Sequence, residues 1–132
     1  MLAEVLATLG AVADRTGFDR LLARVGGLHT VCELLSTSET VIDVGEWEPE
    51  AVREWLRALP IAECEQVVVA WPADATAARM RFEQFADCFD LLWFPAQDDV
   101  LVVAEKVGAV EVLVLDHEER FAYARMAHRQ PR

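Results

Sequence analysis

The residues best equipped for chemistry fall in two short segments. Asp98 and Asp99 form one; Asp116, His117 and Glu118 form the other. Carboxylates are the oxygen ligands that Mg²⁺ and Ca²⁺ prefer. An imidazole beside them turns the preference toward a transition metal. Left solvated, the same carboxylates form an acidic surface that attracts a cationic partner. Both readings require the two segments to meet.

The intervening sequence predicts that they do. Residues 100–105 and 110–115 are rich in β-branched and apolar residues and read as strands. Gly108-Ala109 suits a tight turn between them, because Gly takes φ > 0 without steric cost. A turn there pairs residues whose numbers sum to roughly 215–217. Asp99 then faces Asp116 to Glu118, and the acidic residues and His117 gather at the open end of the hairpin. Residues 100–104 and 112–115 do not alternate with polar residues, as expected of strands covered on both faces.

Other elements must hold this hairpin in place. Leu2, Val5, Leu6, Leu9 and Val12 follow one helical face. Gly17 interrupts it, and Thr16 is placed to cap a second helix, with Asp19 in its first turn and Phe18, Leu21, Leu22 and Val25 as its stripe. Gly26-Gly27 ends that helix. Residues 28–35 read as a further short helix and 36–38 as a loop. Residues 40–44 predict a strand. Pro49 opens a helix whose stripe is Val52, Trp55, Leu56 and Leu59. Glu50, Arg53, Glu54 and Arg57 form its wet face, with opposite charges at i, i+3.

Residues 66–71 predict a second strand. Asp74 or Thr76 then caps a helix carrying Ala78, Phe82, Phe85 and Phe89 on one face, which read as core aromatics. Residues 91–94 predict a third strand, and 121–126 a last strand or helix. The expected fold is therefore α/β, with α+β as the alternative. It is a mixed sheet of about five strands, with parallel pairs made by strand–helix–strand crossovers and a C-terminal antiparallel meander. One domain spans 1–132. Residues 1–35 form its helical part, 40–126 its α/β part, and 127–132 a frayed tail.

In such a sheet four loops share one edge: 45–48, 71–74, 95–99 and 116–119. Open α/β sheets bind ligands at an edge of this kind. The candidate partner-binding residues are Trp47, Glu48, Trp71, Asp74, Asp98, Asp99, Asp116, His117 and Glu118. Trp47 or Trp71 would be the anchor, although Trp71 and Trp93 equally suit the core.

Charge restricts the functions available. The chain has a net charge of −11, and residues 120–132 hold four arginines and no acid. The first 119 residues are thus strongly acidic, a surface that repels nucleic acid and speeds encounter with a basic protein. No apolar run is long enough to span a membrane, and the first residues lack the basic flank of a secretory signal. The cytoplasm is the expected location. Cys32, Cys64 and Cys88 are widely spaced without a C-x-x-C motif, which points to core residues rather than a disulfide framework or zinc site.

Several enzyme classes fail on motifs. A PD…(D/E)-x-K nuclease needs an acid two residues before a lysine, and Ala104 stands there before Lys106. Residues 41–45 share a strand–acid–x–Gly pattern with nucleotide-cofactor methyltransferases, but the following glycines are missing. Ser36 and Ser38 sit in no G-x-S-x-G elbow.

The segments FDLLWFPAQDDVLVV and VLVLDHEERF resemble a pattern in small bacterial α/β proteins. Those proteins pair an F/Y-P-x-x-D-D turn with a strand ending D-H-E-E, and some sit beside secreted polymorphic toxins as immunity proteins. The resemblance covers residues 89–121. It implies that Asp98, Asp99, Asp116, His117 and Glu118 form a shared surface. The expected function is an acidic, non-enzymatic binding or inhibitor module of toxin-immunity type, without a cofactor, that blocks a basic protein. The alternatives are a small enzyme using a metal held by Asp98, Asp99, Asp116 and Glu118, or a homodimer joined through the N-terminal helices.

Overall fold

The computed structural model describes residues 2–27, 33, 40–93, 99–106 and 108–127. Its centre is the hairpin of β4 (Val100–Lys106) and β5 (Ala109–Leu115). Val100 pairs with Leu115 and Lys106 with Ala109, so the register falls within the range expected from the turn. Gly108 has φ +76°, the conformation for which glycine is suited. β6 (Arg120–Ala127) adds to β5 with Leu115 opposite Phe121, which completes the meander and settles residues 121–126 as strand.

Helices and sheet combine in the expected α/β sense, but among the described residues the sheet has six strands and every pairing is antiparallel. The strand order is β1 (Thr40–Asp43), β6, β5, β4, β2 (Gln66–Trp71), β3 (Thr76–Arg81). The crossover from β1 to β2 does return the chain in the same direction. It lands them four positions apart, however, with the meander between, so they never pair.

Two element assignments differ from expectation. Residues 76–81 form a strand where a helix was predicted. Ala75 adopts the left-handed conformation after a 3₁₀ turn, Pro72–Asp74, and folds β3 back on β2 from Trp71↔Thr76 to Gln66↔Arg81. Cross-strand pairing overrides the helix propensity of Ala, Arg and Met. Residues 91 and 92 end a helix rather than begin a strand. Phe85, Phe89 and Leu92 are buried along one face of that helix while Leu91 is exposed. A short apolar run is ambiguous between the two states.

Helices with described bounds are α1 (Leu2–Thr8), α2 (Arg15–Val25), α3 (Pro49–Arg57) and α4 (Phe82–Leu92). α1 stops before Val12, which is exposed. Asp14, not Thr16, precedes α2, and Thr16 and Gly17 lie inside it. Asp14 is bridged to Ala77 instead. On α3, Arg53 meets Glu50 as expected, whereas Arg57 pairs with Glu83 and Asp87 of α4.

Both sheet faces are buried. Val69, Val102, Leu113, Leu115 and Phe121 join Leu6, Val52, Leu56 and Phe85 in one core. Leu101, Val103, Val112, Val114 and Ala122 join Phe18, Leu21 and Val25 in another. Trp71 is 0% exposed, and its indole N–H donates to the Leu92 carbonyl at 2.8 Å. Cys64 and Cys88 are half-buried free thiols whose pKa values burial raises. The 28–35 helix, the 36–38 loop, Cys32, and residues 94–98 and 128–132 lie outside the described residues, Glu33 excepted.

Candidate functional site

Alternation of strand direction gathers the loops. β1, β2 and β5 end on the edge where β3, β4 and β6 begin. The described parts of all four expected loops therefore share that edge, although no two neighbouring strands among the described residues pair in parallel. They do not share one pocket. β1 and β2 stand four interstrand steps apart, about 19 Å at roughly 4.8 Å each.

The middle of the edge is the turn that joins β5 to β6. The Asp116 N–H donates to the Arg120 carbonyl at 2.9 Å, and the Glu119 N–H to the Asp116 carbonyl at 3.0 Å. Glu119 has φ +63°. This is a three-residue loop whose last position takes the left-handed conformation and usually holds glycine. Residues 116–118 thus lie in a turn, so the strand rule that would send 116 and 118 one way and 117 the other does not apply.

Asp99, just before β4, reaches this turn. Its Oδ1 accepts from the His117 backbone N–H at 2.8 Å and lies 2.8 Å from the ring Nδ1. Asp116 Oδ1 is 3.0 Å from the same Nδ1. Asp116 is 2% exposed, and its Oδ2 accepts from Arg120 Nε and Nη2 at 3.1 and 2.9 Å. Glu118 also pairs with Arg120, at 3.2 Å. Arg120, just beyond the loop, therefore brings a guanidinium to a cluster whose loops hold only carboxylates and one imidazole.

The electrostatics follow from these contacts. Burial pushes Asp99 up, but the hydrogen bonds from the His117 side chain and backbone outweigh it and hold the carboxyl below its ordinary value. The hydrogen bond to Asp99, then the charges of Asp99 and Asp116, raise His117 above its ordinary value. A protonated imidazole facing two carboxylates is a self-consistent arrangement.

Ligand atoms of Asp99, Asp116 and His117 lie within 4.8 Å of one another, a spacing one cation could bridge. The same atoms already satisfy each other. An Nδ1–H serves the two carboxylates, and Arg120 neutralises Asp116. The chemistry of this donor set is that of a clamped turn.

The flank beside β1 holds the exposed candidates. Trp47 is 40% exposed and Glu48 is exposed beside it. Trp47 borders a cleft of about 190 Å³, with Gly45, Asp90, Trp93 and Glu119 among its walls. A Cβ on Gly45 would collide with the Glu119 carboxylate. Trp93 is 5% exposed, as a core reading expects, and its ring meets Phe121 edge-on at 4.8 Å. Its indole N–H has no hydrogen-bond partner among the described residues, and an unmet neutral donor costs about 1–3 kcal/mol.

Asp74 is exposed on the 3₁₀ turn after β2, on the opposite flank. Trp71 cannot anchor a partner in this fold, because it is fully buried under α4. Asp98 lies outside the described residues. The structure thus joins Asp99, Asp116, His117 and Glu118, and sets Trp47 with Glu48 and Asp74 to either side.

Three features were not singled out from sequence. One is Arg120. Another is the Trp93–Glu119 cleft. The third is Glu111, which is 0% exposed in β5 yet charged. It accepts from Arg125 at 2.9 and 2.7 Å and from the Tyr123 hydroxyl, with Lys106 at 3.4 Å. Burial pushes Glu111 up, but Tyr123 and Arg125 prevail and lower it; burial and Glu111 together raise Tyr123. A lone acid in the phase of Leu113 and Leu115 was the available signal. This group lies toward the opposite edge of the sheet and is internally satisfied.

Compared with protein-family models, curated proteins and solved structures, the chain matches none. No helix among the described residues is long and apolar enough to cross a membrane.

Proposed function

We propose that this chain is a non-catalytic binding module that captures a basic protein through its loop edge, as the immunity proteins that residues 89–121 resemble would block a toxin. The observation that carries the reading is Trp47, a half-exposed indole at an edge that also presents Glu46, Glu48, Asp74, Asp99, Glu118 and Glu119. Carboxylates around an aromatic anchor attract and orient a cationic partner, and the buried indole then supplies affinity. The Asp99–His117 clamp contributes by fixing the loop that carries Glu118 and Glu119. This function belongs to the cytoplasm and needs no cofactor. Capture from a lysate at low and high salt, with identification of what is retained, tests it. The expected result is one basic protein, released by salt and lost with Trp47→Ala.

The second reading is a metal enzyme, favoured by the spacing of Asp99, Asp116 and His117. Calorimetric titration with Mn²⁺ separates the two. The binding reading predicts no stoichiometric uptake, whereas uptake abolished by Asp116→Asn would support the enzyme.

A further inference from the structure

The cleft beside Trp47 has features that a solvated surface would not need. Glu119 occupies a left-handed position that disfavours side chains. Two backbone hydrogen bonds hold it there, one to the Asp116 carbonyl and one from the Val44 N–H at 2.9 Å. Its carboxylate meets no cation or donor among the described residues. Gly45 does not have positive φ, so its glycine provides room for that carboxylate rather than backbone freedom. Trp93, 5% exposed, lines the same cleft. Pro49 and Val52 add apolar wall.

The dimensions exclude a conventional small-molecule site. About 190 Å³ is below the roughly 300–1,000 Å³ of such sites, and is of the order of one side chain. The chemistry selects that side chain. An unpaired carboxylate beside two indoles favours a cation, and a planar guanidinium both stacks on aromatics and pairs with carboxylate. The molecule already contains this arrangement once: the Arg53 guanidinium lies 5.5 Å from the centroid of Phe89, another wall of the cleft, and 3.5 Å from Asp90.

We infer that the cleft between Trp47, Trp93 and Glu119 is the subsite that takes an arginine side chain of the basic partner. Its aliphatic stem lies against Pro49 and Val52, and its guanidinium meets Glu119. The inference rests on the binding reading and specifies the residue that the partner must present.

The test uses ¹⁵N-labelled protein and the indole N–H signals of its tryptophans, titrated with N-acetyl-arginine amide. The neutral isostere N-acetyl-citrulline amide is the control. Saturable shifts are expected at Trp47 and Trp93 at roughly millimolar affinity, with Trp71, bonded to Leu92, unmoved. Glu119→Gln should weaken binding by roughly tenfold, while Glu63→Gln, on the opposite edge, should not change it. An unmoved Trp71 signal in each variant reports intact folding. No saturable shift, equal shifts with citrulline, or full affinity in Glu119→Gln would overturn the subsite. If the amide binds here but the wild type retains no basic protein, the binding reading fails and the subsite stands. If a basic protein is retained equally by wild type and Glu119→Gln and the amide does not bind, the subsite fails and the reading stands.

Discussion

One oxygen of Asp99 holds both the backbone N–H and the ring Nδ1 of His117, each at 2.8 Å. The two residues are neighbours only because the β4–β5 register places the start of one strand opposite the end of the next. The pair ties the residue just before β4 to the turn that carries Glu118 and Glu119, and so shapes the acidic edge.

This pair makes the turn pH-sensitive on both sides. Asp99 is lowered, so its contribution is present above the ordinary carboxylate range, near pH 4, and is lost as pH falls through its lower folded value. His117 is raised, so its contribution is full below about pH 6.5 and is lost as pH rises through its higher folded value. The clamp is complete between those limits. NMR titration should show His117 above its ordinary pKa in the wild type and moved down in Asp99→Asn. An unchanged value in the variant would contradict the contact.

Glu119 and Gly45 should be energetically coupled. Gly45→Ala places a methyl group against the Glu119 carboxylate and should cost roughly 1 kcal/mol or less, because that carboxylate ends a flexible side chain that can swing aside. Glu119→Gly relieves a left-handed side-chain residue worth roughly 1–2 kcal/mol, offset in part by unfolded-state entropy, and should be neutral to stabilising. In the Glu119→Gly background, the cost of Gly45→Ala should fall to what the Asp43 carboxylate, 3.1 Å from the added methyl, still imposes. Denaturant unfolding of the four members of this cycle measures the coupling, and additivity would show that the two do not touch.

Leu6 distinguishes a core role for α1 from a dimer interface. It is 2% exposed within the chain's own core. Leu6→Ala should lower stability by about 2–5 kcal/mol, with a melting temperature independent of protein concentration. A stable variant that differs only in oligomeric state by light scattering would favour the interface.

The Glu111 network should respond asymmetrically. Glu111→Leu removes a buried charge from an apolar strand and leaves Arg125 solvated, so it should be well tolerated. Arg125→Ala strands the buried carboxylate with only Tyr123 and Lys106, and should destabilise more. Chemical denaturation of the two variants gives the order; the reverse would mean that the carboxylate is better solvated than its position indicates.

The hairpin and its polar end were legible because two unbroken apolar, β-branched runs flank a glycine turn, and a tight turn leaves few registers open. The convergence of the loops was legible too, although the parallel pairing used to argue it was mistaken. Edge membership depends only on which strand ends point the same way, and antiparallel alternation gives the same result. Residues 76–81 were missed because their pairing with β2 is non-local and their composition favours helix. The placement of Trp71 turned on the same mistake. It reads as a strand end beside a loop until α4 is seen to cover it. The cleft had no local signal, because Gly45, Trp93 and Glu119 come from three distant segments.

The central claim is that the acidic edge around Trp47 is the binding face. The most direct test converts Glu46, Glu48 and Glu118 to lysine and compares lysate capture with the wild type at low salt. The account predicts that a basic protein held by the wild type is lost from the reversed variant, whose Trp71 indole signal stays unchanged. Retention of the same protein by the reversed variant, or no basic protein on either, would contradict it.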